Sequence, residues 1–397
     1  MDFTAKSDYR VSAAEIAEKM GAGWNYGNTL EANTEGTPDE TVWGNPRASQ
    51  AMVDAVADAG FRTVRIPISF LSKINDSCGY KIDDEWLERI AEVVDYCYNK
   101  ELFVIINIHG DGYHTIKGGW LLCNGNDQVY IKEKFAAVWR QIAERFADYD
   151  EHLIFECMNE VFDGIYHTPV AEYYENINDY NQIFVDTVRS SGGKNTHRWL
   201  MAAGWNTDIN YTCGGYGFRF PKDSCNTPDN GRLILSVHCY DPWDYCGEEK
   251  KSVCLWGEKG QEIVELGSAD PQYKADWGEE KHITAQFRML KERYVDRGIP
   301  VIIGEYGCID RSDETVIPER ITENRAYYDG FIAGTAAQNG LVPVYWDNGF
   351  NGKFGLGLFD RRAVTKTQPE IIDAIIKAVK NKDPMSGRNA FIAKCTG

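Results

Sequence analysis

The sequence predicts an α/β fold of one kind: a single (β/α)8 barrel spanning residues 1–397. Three observations point to it. Short apolar runs of strand length alternate with amphipathic helical patterns eight times over, as a parallel sheet wrapped by helices requires. No Gly-rich phosphate loop follows the first run, which argues against a doubly wound open sheet. No Ser/Thr/Pro linker, low-complexity tract or internal repeat divides the chain.

In order, residues 23–30 read as a first strand and 48–59 as a helix closed by Gly60. The run 63–68 is a second strand, its Pro67 compatible with a strand terminus. An amphipathic helix over 84–100 opens on an Asp cap. A third strand follows at 102–109, then a helix at 130–149, a fourth strand at 153–160 and a helix over about 170–189. The fifth strand, 198–205, leads into residues 206–231, rich in Gly, Asn, Pro and Cys, where irregular chain is expected to replace the crossover helix. A sixth strand at 233–240 precedes a long aromatic and acidic insertion, 241–280, and a helix over about 284–297. The seventh strand is 301–306, followed by a helix at 322–339; the eighth is 341–346, with a last helix near 369–379.

A net charge of −18 argues against nucleic acid or an anionic membrane as partner, since both call for basic patches. No apolar segment approaches the length of a membrane span, and no signal peptide opens the chain. Met1-Asp2-Phe3 fits either a natural start or a start that replaces a removed signal. Of the 11 cysteines, Cys97, Cys157, Cys239 and Cys308 end or interrupt apolar runs and read as small buried hydrophobes. Cys213 with Cys225, or Cys246 with Cys254, have spacings compatible with disulfides. No CxxC pattern marks a structural zinc site.

Two of the buried runs end in glutamate: Leu153-Ile154-Phe155-Glu156-Cys157-Met158-Asn159-Glu160 and Pro300-Val301-Ile302-Ile303-Gly304-Glu305. One such acid is an ordinary helix cap or loop carboxylate. Two, each closing a strand at the catalytic face of a barrel, make the pair that glycoside hydrolysis needs, a proton donor and a nucleophile or base. The other strand ends offer Asn25, Arg65, His109, Asn159, Trp205, His238, Tyr240 and Trp346. Each alone has an ordinary structural explanation; their joint placement at one face does not. With 22 tyrosines and 11 tryptophans the chain also has the flat aromatic surface on which sugars stack.

The ordered set Gly23-Trp24-Asn25-Tyr26-Gly27-Asn28, Val64-Arg65-Ile66-Pro67, Asn107-Ile108-His109, Met158-Asn159-Glu160, Ser236-Val237-His238-Cys239-Tyr240, Gly304-Glu305-Tyr306-Gly307 and Trp346 resembles family 5 of the glycoside hydrolases, the cellulase family. It is most similar to subfamily 4, the polyspecific endo-β-1,4-glucanases and xyloglucanases. The resemblance covers nearly the whole chain and implies a retaining endo-β-1,4-glucanase. It implies Glu160 as acid/base and Glu305 as nucleophile. Asn159 is expected on the sugar's 2-hydroxyl, His109 and His238 in the same subsite, Trp346 beneath the ring, and Asn25 on glucose hydroxyls. Arg65 and Tyr240 are expected to contact Glu305 and hold its pKa down. A β-glucan is the expected partner, with no cofactor and no metal, in a monomer acting outside the cell.

Two departures stand out. Gly110 follows His109 where family members often carry a second histidine, so residues 111–120 are expected to reshape that side of the cleft. The 241–280 insertion reads either as a lid with added sugar platforms or as a self-packed loop pinned by Cys246 and Cys254. Rival readings are a mannanase or xylanase, a metal-dependent hydrolase using His109, His114 and His238, and a non-catalytic sugar binder on the same fold.

Overall fold

The eight apolar runs pair in parallel, each with its neighbour in the chain, and the last pairs with the first. In a computed structural model that describes residues 11–226, 231–314 and 317–387, the barrel strands are β1 (Gly23–Asn25), β2 (Thr63–Ile66), β3 (Phe103–Asn107), β4 (Leu153–Glu156), β5 (Leu200–Asp208), β6 (Leu233–Cys239), β7 (Val301–Tyr306) and β8 (Val342–Tyr345). The expected (β/α)8 barrel is therefore present. Met1-Asp2-Phe3 lies outside the described residues.

Alternation along each strand builds two separate cores. Val104 and Ile106 of β3 face the helices, whereas Phe103 and Ile105 face inward and meet Ile154, Met201, Ile234, Ile302 and Val342 in a barrel floor. That floor is closed by a helix the sequence reading did not identify, α1 (Ala13–Met20), which adds Ile16 and Met20. Ser12 and Glu15 form a capping box at its start, each satisfying the other's backbone N–H.

The outer helices follow the periodic segments closely: α2 (Gln50–Asp58), α3 (Asp84–Tyr98), α4 (Gln128–Arg145) and α5 (Ala171–Ser190). Asp83 caps α3 by accepting from the Trp86 N–H. After β5 the crossover is a single short turn, α6 (Ile209–Cys213), and then irregular chain, close to expectation; residues 227–230 of that stretch lie outside the described residues.

The insertion after β6 packs against the outer helices. It folds as α7 (Trp243–Cys246) and α8 (Gly257–Glu265), followed by α9 (Glu280–Arg293). Trp256 is fully buried against Tyr327, Tyr328 and Phe331 of α10 (Pro318–Gln338), and the Tyr245 hydroxyl donates to Asn324 Oδ1 at 3.0 Å. The last helix is α11 (Pro369–Asn381). The expected cysteine pin is absent: among the described residues no disulfide links Cys246 to Cys254 or Cys213 to Cys225. The reason is local. The Cys246 thiol donates to the Tyr328 hydroxyl at 3.0 Å, while Cys254 packs in a different cluster with Leu255, Ile263 and Ile321.

β4 ends earlier than expected. Its last ladder residue is Glu156, and residues 157–160 leave it as irregular chain that bends at 159 and 160, held by Cys157 N–H on Met201 O (2.9 Å) and Asn159 N–H on Ile108 O (3.0 Å). Glu160 thus stands above the strand end.

All ten described cysteines are thiols. Since a disulfide contributes about 2–4 kcal/mol to stability, the melting temperature is expected to be the same with and without a reductant. A drop on reduction contradicts the thiol assignment.

Candidate active site

Strand register assembles the site from a polar layer at the C-terminal end of the barrel. It sets Asn25 beside Arg65, Asn107 beside Glu156 and, after a register shift at Val237/His238, His238 beside Glu305. Arg65 is the centre of this layer and is fully buried. Its Nε donates to Glu156 Oε2 at 2.7 Å, one Nη to Asn25 Oδ1 and Glu305 Oε1 at 2.9 Å each, and the other to Asn159 Oδ1 at 2.7 Å. Glu156 also accepts from Ser236 Oγ (2.6 Å) and Asn107 Nδ2 (3.1 Å), so the buried charge is fully hydrogen-bonded.

The two glutamates predicted from sequence face one another across His238. Glu305 Oε2 accepts from the Tyr240 hydroxyl at 3.0 Å. Glu160 Oε1 meets His238 Nδ1 at 2.7 Å, and its Oε2 accepts from the Tyr113 hydroxyl at 2.8 Å. His238 Nδ1 is also 3.6 Å from Glu305 Oε2. One carboxylate oxygen of Glu160, one of Glu305 and a ring nitrogen of His238 lie within 4.8 Å of one another. Glu160 keeps 22% of its side chain exposed; Glu305 is nearly closed off. The imidazole Nε2 of His238 points at Gly304, where a Cβ would stand 3.1 Å away, so the residue before Glu305 has to be small.

Burial raises the Glu305 pKa, and the charges of His238 and Arg65 offset this only in part, with Glu160 adding to the rise. This corrects the expectation that Arg65 and Tyr240 hold Glu305 low. Both contacts are made, but Arg65 is shared with Glu156 and the carboxyl has little water. For Glu160 burial also pushes upward, but the His238 hydrogen bond and charge and the Tyr113 hydroxyl outweigh it, and the pKa falls below the usual value. The two carboxyls therefore titrate as an interacting pair. His109 is kept neutral by burial and by the charges of Arg65 and His238. Its Nδ1 accepts from Asn107 Nδ2 at 3.3 Å, assigned from the network, and its ring stacks on Trp346 with centroids 5.8 Å apart and planes 10° apart.

All nine predicted site residues fall in one region, but two have a different role. Asn25 and Arg65 are fully buried, and neither reaches the cleft. The Asn25 amide donates to Gly304 O (2.8 Å) and Tyr345 O (3.1 Å) and its oxygen accepts from Arg65, leaving nothing for a sugar. Both are positioning residues. Asn159 engages its oxygen with Arg65 and one N–H with the Tyr113 hydroxyl (2.9 Å). His114 lies apart from His109 and His238, its Nε2 3.3 Å from Phe162 O, so the three histidines proposed for a metal hydrolase do not converge.

Two partners were missed. Glu156 was visible as an acid inside an apolar run, a signal in itself. Tyr113 had no signal beyond lying in the 111–120 departure. The structure uses that segment to bring one phenol onto both Asn159 and Glu160.

Residues 25–352 match the model of the cellulase family, glycosyl hydrolase family 5. Endoglucanase A of Paenibacillus barcinonensis is 46% identical over 374 residues, covering 93% of this chain and 91% of the relative. A family 5 xyloglucanase from Paenibacillus pabuli superposes with a TM-score of 0.87 at 47% identity, over 92% of this chain and 99% of that one. A GH5-4 broad-specificity endoglucanase from Bacteroides salanitronis gives a TM-score of 0.83 at 38% identity, over 93% and 95% respectively.

Replacing Arg65 with Met leaves Glu156 buried without its cation. Such a change costs about 3–5 kcal/mol, so the urea midpoint at neutral pH is expected to fall by that equivalent. An unchanged midpoint removes Arg65 from the centre of the layer.

Proposed function

The chain belongs to glycoside hydrolase family 5, and we propose that it is a retaining endo-β-1,4-glucanase in which Glu305 is the nucleophile and Glu160 the acid/base. Its substrates are soluble or amorphous β-1,4-linked glucans, mixed-linkage glucan and xyloglucan among them. The observation that carries the reading is the approach of the two carboxyls to within 4.8 Å at their nearest oxygens. Retaining pairs stand about 5–5.5 Å apart and inverting pairs about 6.5–9.5 Å, leaving room for a water. The substrate class is supported by relatives named as an endoglucanase, a xyloglucanase and a broad-specificity endoglucanase.

Glu305, aimed by Arg65 and Tyr240, attacks the anomeric carbon. Glu160 gives its proton to the bridging oxygen, which leaves as the hydroxyl of the departing chain, and a glycosyl ester forms on Glu305. Glu160, now ionised, takes a proton from water; the hydroxide attacks the same carbon and Glu305 leaves as carboxylate. Two inversions restore the β-configuration. Productive reaction needs the shared proton on Glu160. His238 Nδ1 contacts both carboxyls, at 2.7 Å and 3.6 Å. Trp346 and the neutral His109 stacked on it line the glycone subsite, and Asn159 directs its second N–H to the 2-hydroxyl. Substrate size requires action outside the cell; glucanase activity confined to the cells of a producing culture contradicts this.

Glu305→Gln is expected to lose nearly all reducing-sugar release from barley β-glucan, carboxymethylcellulose and xyloglucan, and the wild type to release β-anomers first, seen by proton NMR. Substantial activity in the variant, or α-products, overturns the assignment. Preference for xylan or mannan in the same assay overturns the substrate class alone.

Tyr113→Phe removes a hydrogen bond that lowers the Glu160 pKa. That pKa then rises, and the alkaline limb of kcat/KM is expected to move to higher pH. An unmoved limb separates Tyr113 from proton donation.

A further inference from the structure

The pairing of β1 with β8 stops short of the site. Its register runs Gly23 with Val344 and Trp24 with Tyr345, and the two strands end at Asn25 and Tyr345. Trp346 lies just beyond this ladder, and so does Gly27, the backbone at the edge of its indole. A Cβ on Gly27 would stand 3.0 and 3.1 Å from two indole carbons of Trp346 and 2.7 Å from Asp347 O. On the β7 side Trp346 N–H still donates to Tyr306 O at 2.8 Å. On the β1 side the platform rests on chain that no strand ladder holds.

A second buried arginine closes that gap. Arg361 sits at the turn of a short antiparallel ladder, Phe359–Asp360 with Thr365–Lys366, and is 4% exposed. One Nη donates to Gly27 O at 2.7 Å and to Thr29 Oγ1 at 2.9 Å. The other donates to Asp347 O at 2.6 Å and to Asp347 Oδ1 at 2.9 Å. Gly27 N–H also donates to Asp347 O, at 3.1 Å, so the guanidinium and the two backbones form a closed ring of hydrogen bonds. The guanidinium is packed over the rings of Trp24 and Tyr26, 5.2 and 5.0 Å from their centroids.

The partner carboxylate is fully used. Asp347 Oδ2 accepts from Trp24 Nε1 at 2.9 Å and Leu358 N–H at 2.8 Å, and Oδ1 accepts from Gly349 N–H at 2.7 Å as well as from Arg361. One residue further along each loop a second side chain repeats the bridge: the buried Asn45 amide donates to Asn28 O and to Asn348 O, at 2.9 Å each. An arginine kept only to neutralise Asp347 needs nothing but the carboxylate. Here two of its four hydrogen bonds go to the carbonyls of Gly27 and Asp347, the backbones that touch and carry Trp346.

We propose that Arg361 is a positioning residue of the glycone subsite, fixing the plane of Trp346 by clamping the backbones of Gly27 and Asp347, with Asn45 as the second clamp. The proposal rests on the glucanase reading above. Trp346 has to keep its plane against the His109 ring, which lies 10° from parallel to it, and against the apolar face of the sugar that Glu305 attacks. A tilt of that plane moves the anomeric carbon relative to the carboxylate, so the clamp acts on the reaction through Trp346 alone. The planar fork matters: it spans two carbonyls in one plane, which the single ammonium of a lysine does not.

The test is a double-mutant cycle read as kcat/KM on cellohexaose, with each substitution made in the wild type and again in Trp346→Ala. In the wild type Arg361→Lys is expected to lower kcat/KM about tenfold, the scale of a small misplacement of the reacting groups. Gly27→Ala leaves Arg361 in place and presses on the indole edge and on Asp347 O; it is expected to do the same, and Asn45→Ala to do less. In the Trp346→Ala background the same three changes are expected to cost about twofold or less, because the group they aim is gone. A role in folding alone costs the same in both backgrounds. Losses undiminished without Trp346, or no loss in Arg361→Lys and Gly27→Ala, overturn the clamp and leave the glucanase reading in place. A wild type that does not cleave cellohexaose overturns both.

Discussion

One buried guanidinium holds the catalytic face together. Arg65 reaches from β2 to Asn25 on β1, Glu156 on β4, Asn159 beyond it and Glu305 on β7, and each bond is 2.9 Å or shorter. A planar fork with fixed donor directions suits this task in a way an ammonium on a flexible stem does not. Because its donors are distributed over four side chains, no one of them can shift without breaking geometry at the others. Asn25 extends the same constraint into the backbone by donating to Gly304 O, one residue before Glu305. The rotamers of both Glu305 and Asn159 are thus set from below, by groups that no substrate touches.

The barrel and the two acids were legible because they depend on local signals: apolar runs of strand length, helix periodicity, and carboxylates in places where burial makes them costly. The layer beneath them was half legible. Arg65 next to Glu305 could be anticipated, but its sharing with Glu156 could not, since that pairing follows from register between strands far apart in the chain. The Glu305 pKa moves up rather than down because of burial, which the charges of His238 and Arg65 offset only in part. Asn25 was misassigned for a related reason: a strand-end asparagine looks the same in sequence whether its amide turns up to a ligand or inward to carbonyls. Tyr113 was invisible because its position depends on how residues 110–121 fold over Ser69 and Val161, close approaches that only the glycines at 110 and 112 permit. The cysteine pairings failed differently. Spacing along a loop reports chain length between thiols, not their orientation, and Cys246 turned into the core toward Tyr328.

The insertion after β6 adds structure beside the barrel without displacing the strand ends. Trp256 and Tyr245 pack on α10 and join the core that lies between the barrel and its helices. The strand ends that aim the catalytic groups are left as they were. Only the rim of that added layer, at α7, comes back beside Tyr240. Loops on the C-terminal face can vary in this way because the strands beneath are braced independently by the floor that α1 closes.

Charge balance sets how readily the site ionises. Three carboxyls, Glu156, Glu160 and Glu305, converge on a single permanent cation, Arg65. Glu156 makes the shortest of the Arg65 contacts with a carboxylate, leaving a partial claim for Glu305. With all three ionised the layer would carry a net negative charge in a place with little water, which opposes ionisation of Glu305. The same deficit of positive charge favours the cationic anomeric centre that develops as the glycosidic bond breaks. A second arginine in the layer would neutralise the acids more fully and remove that advantage.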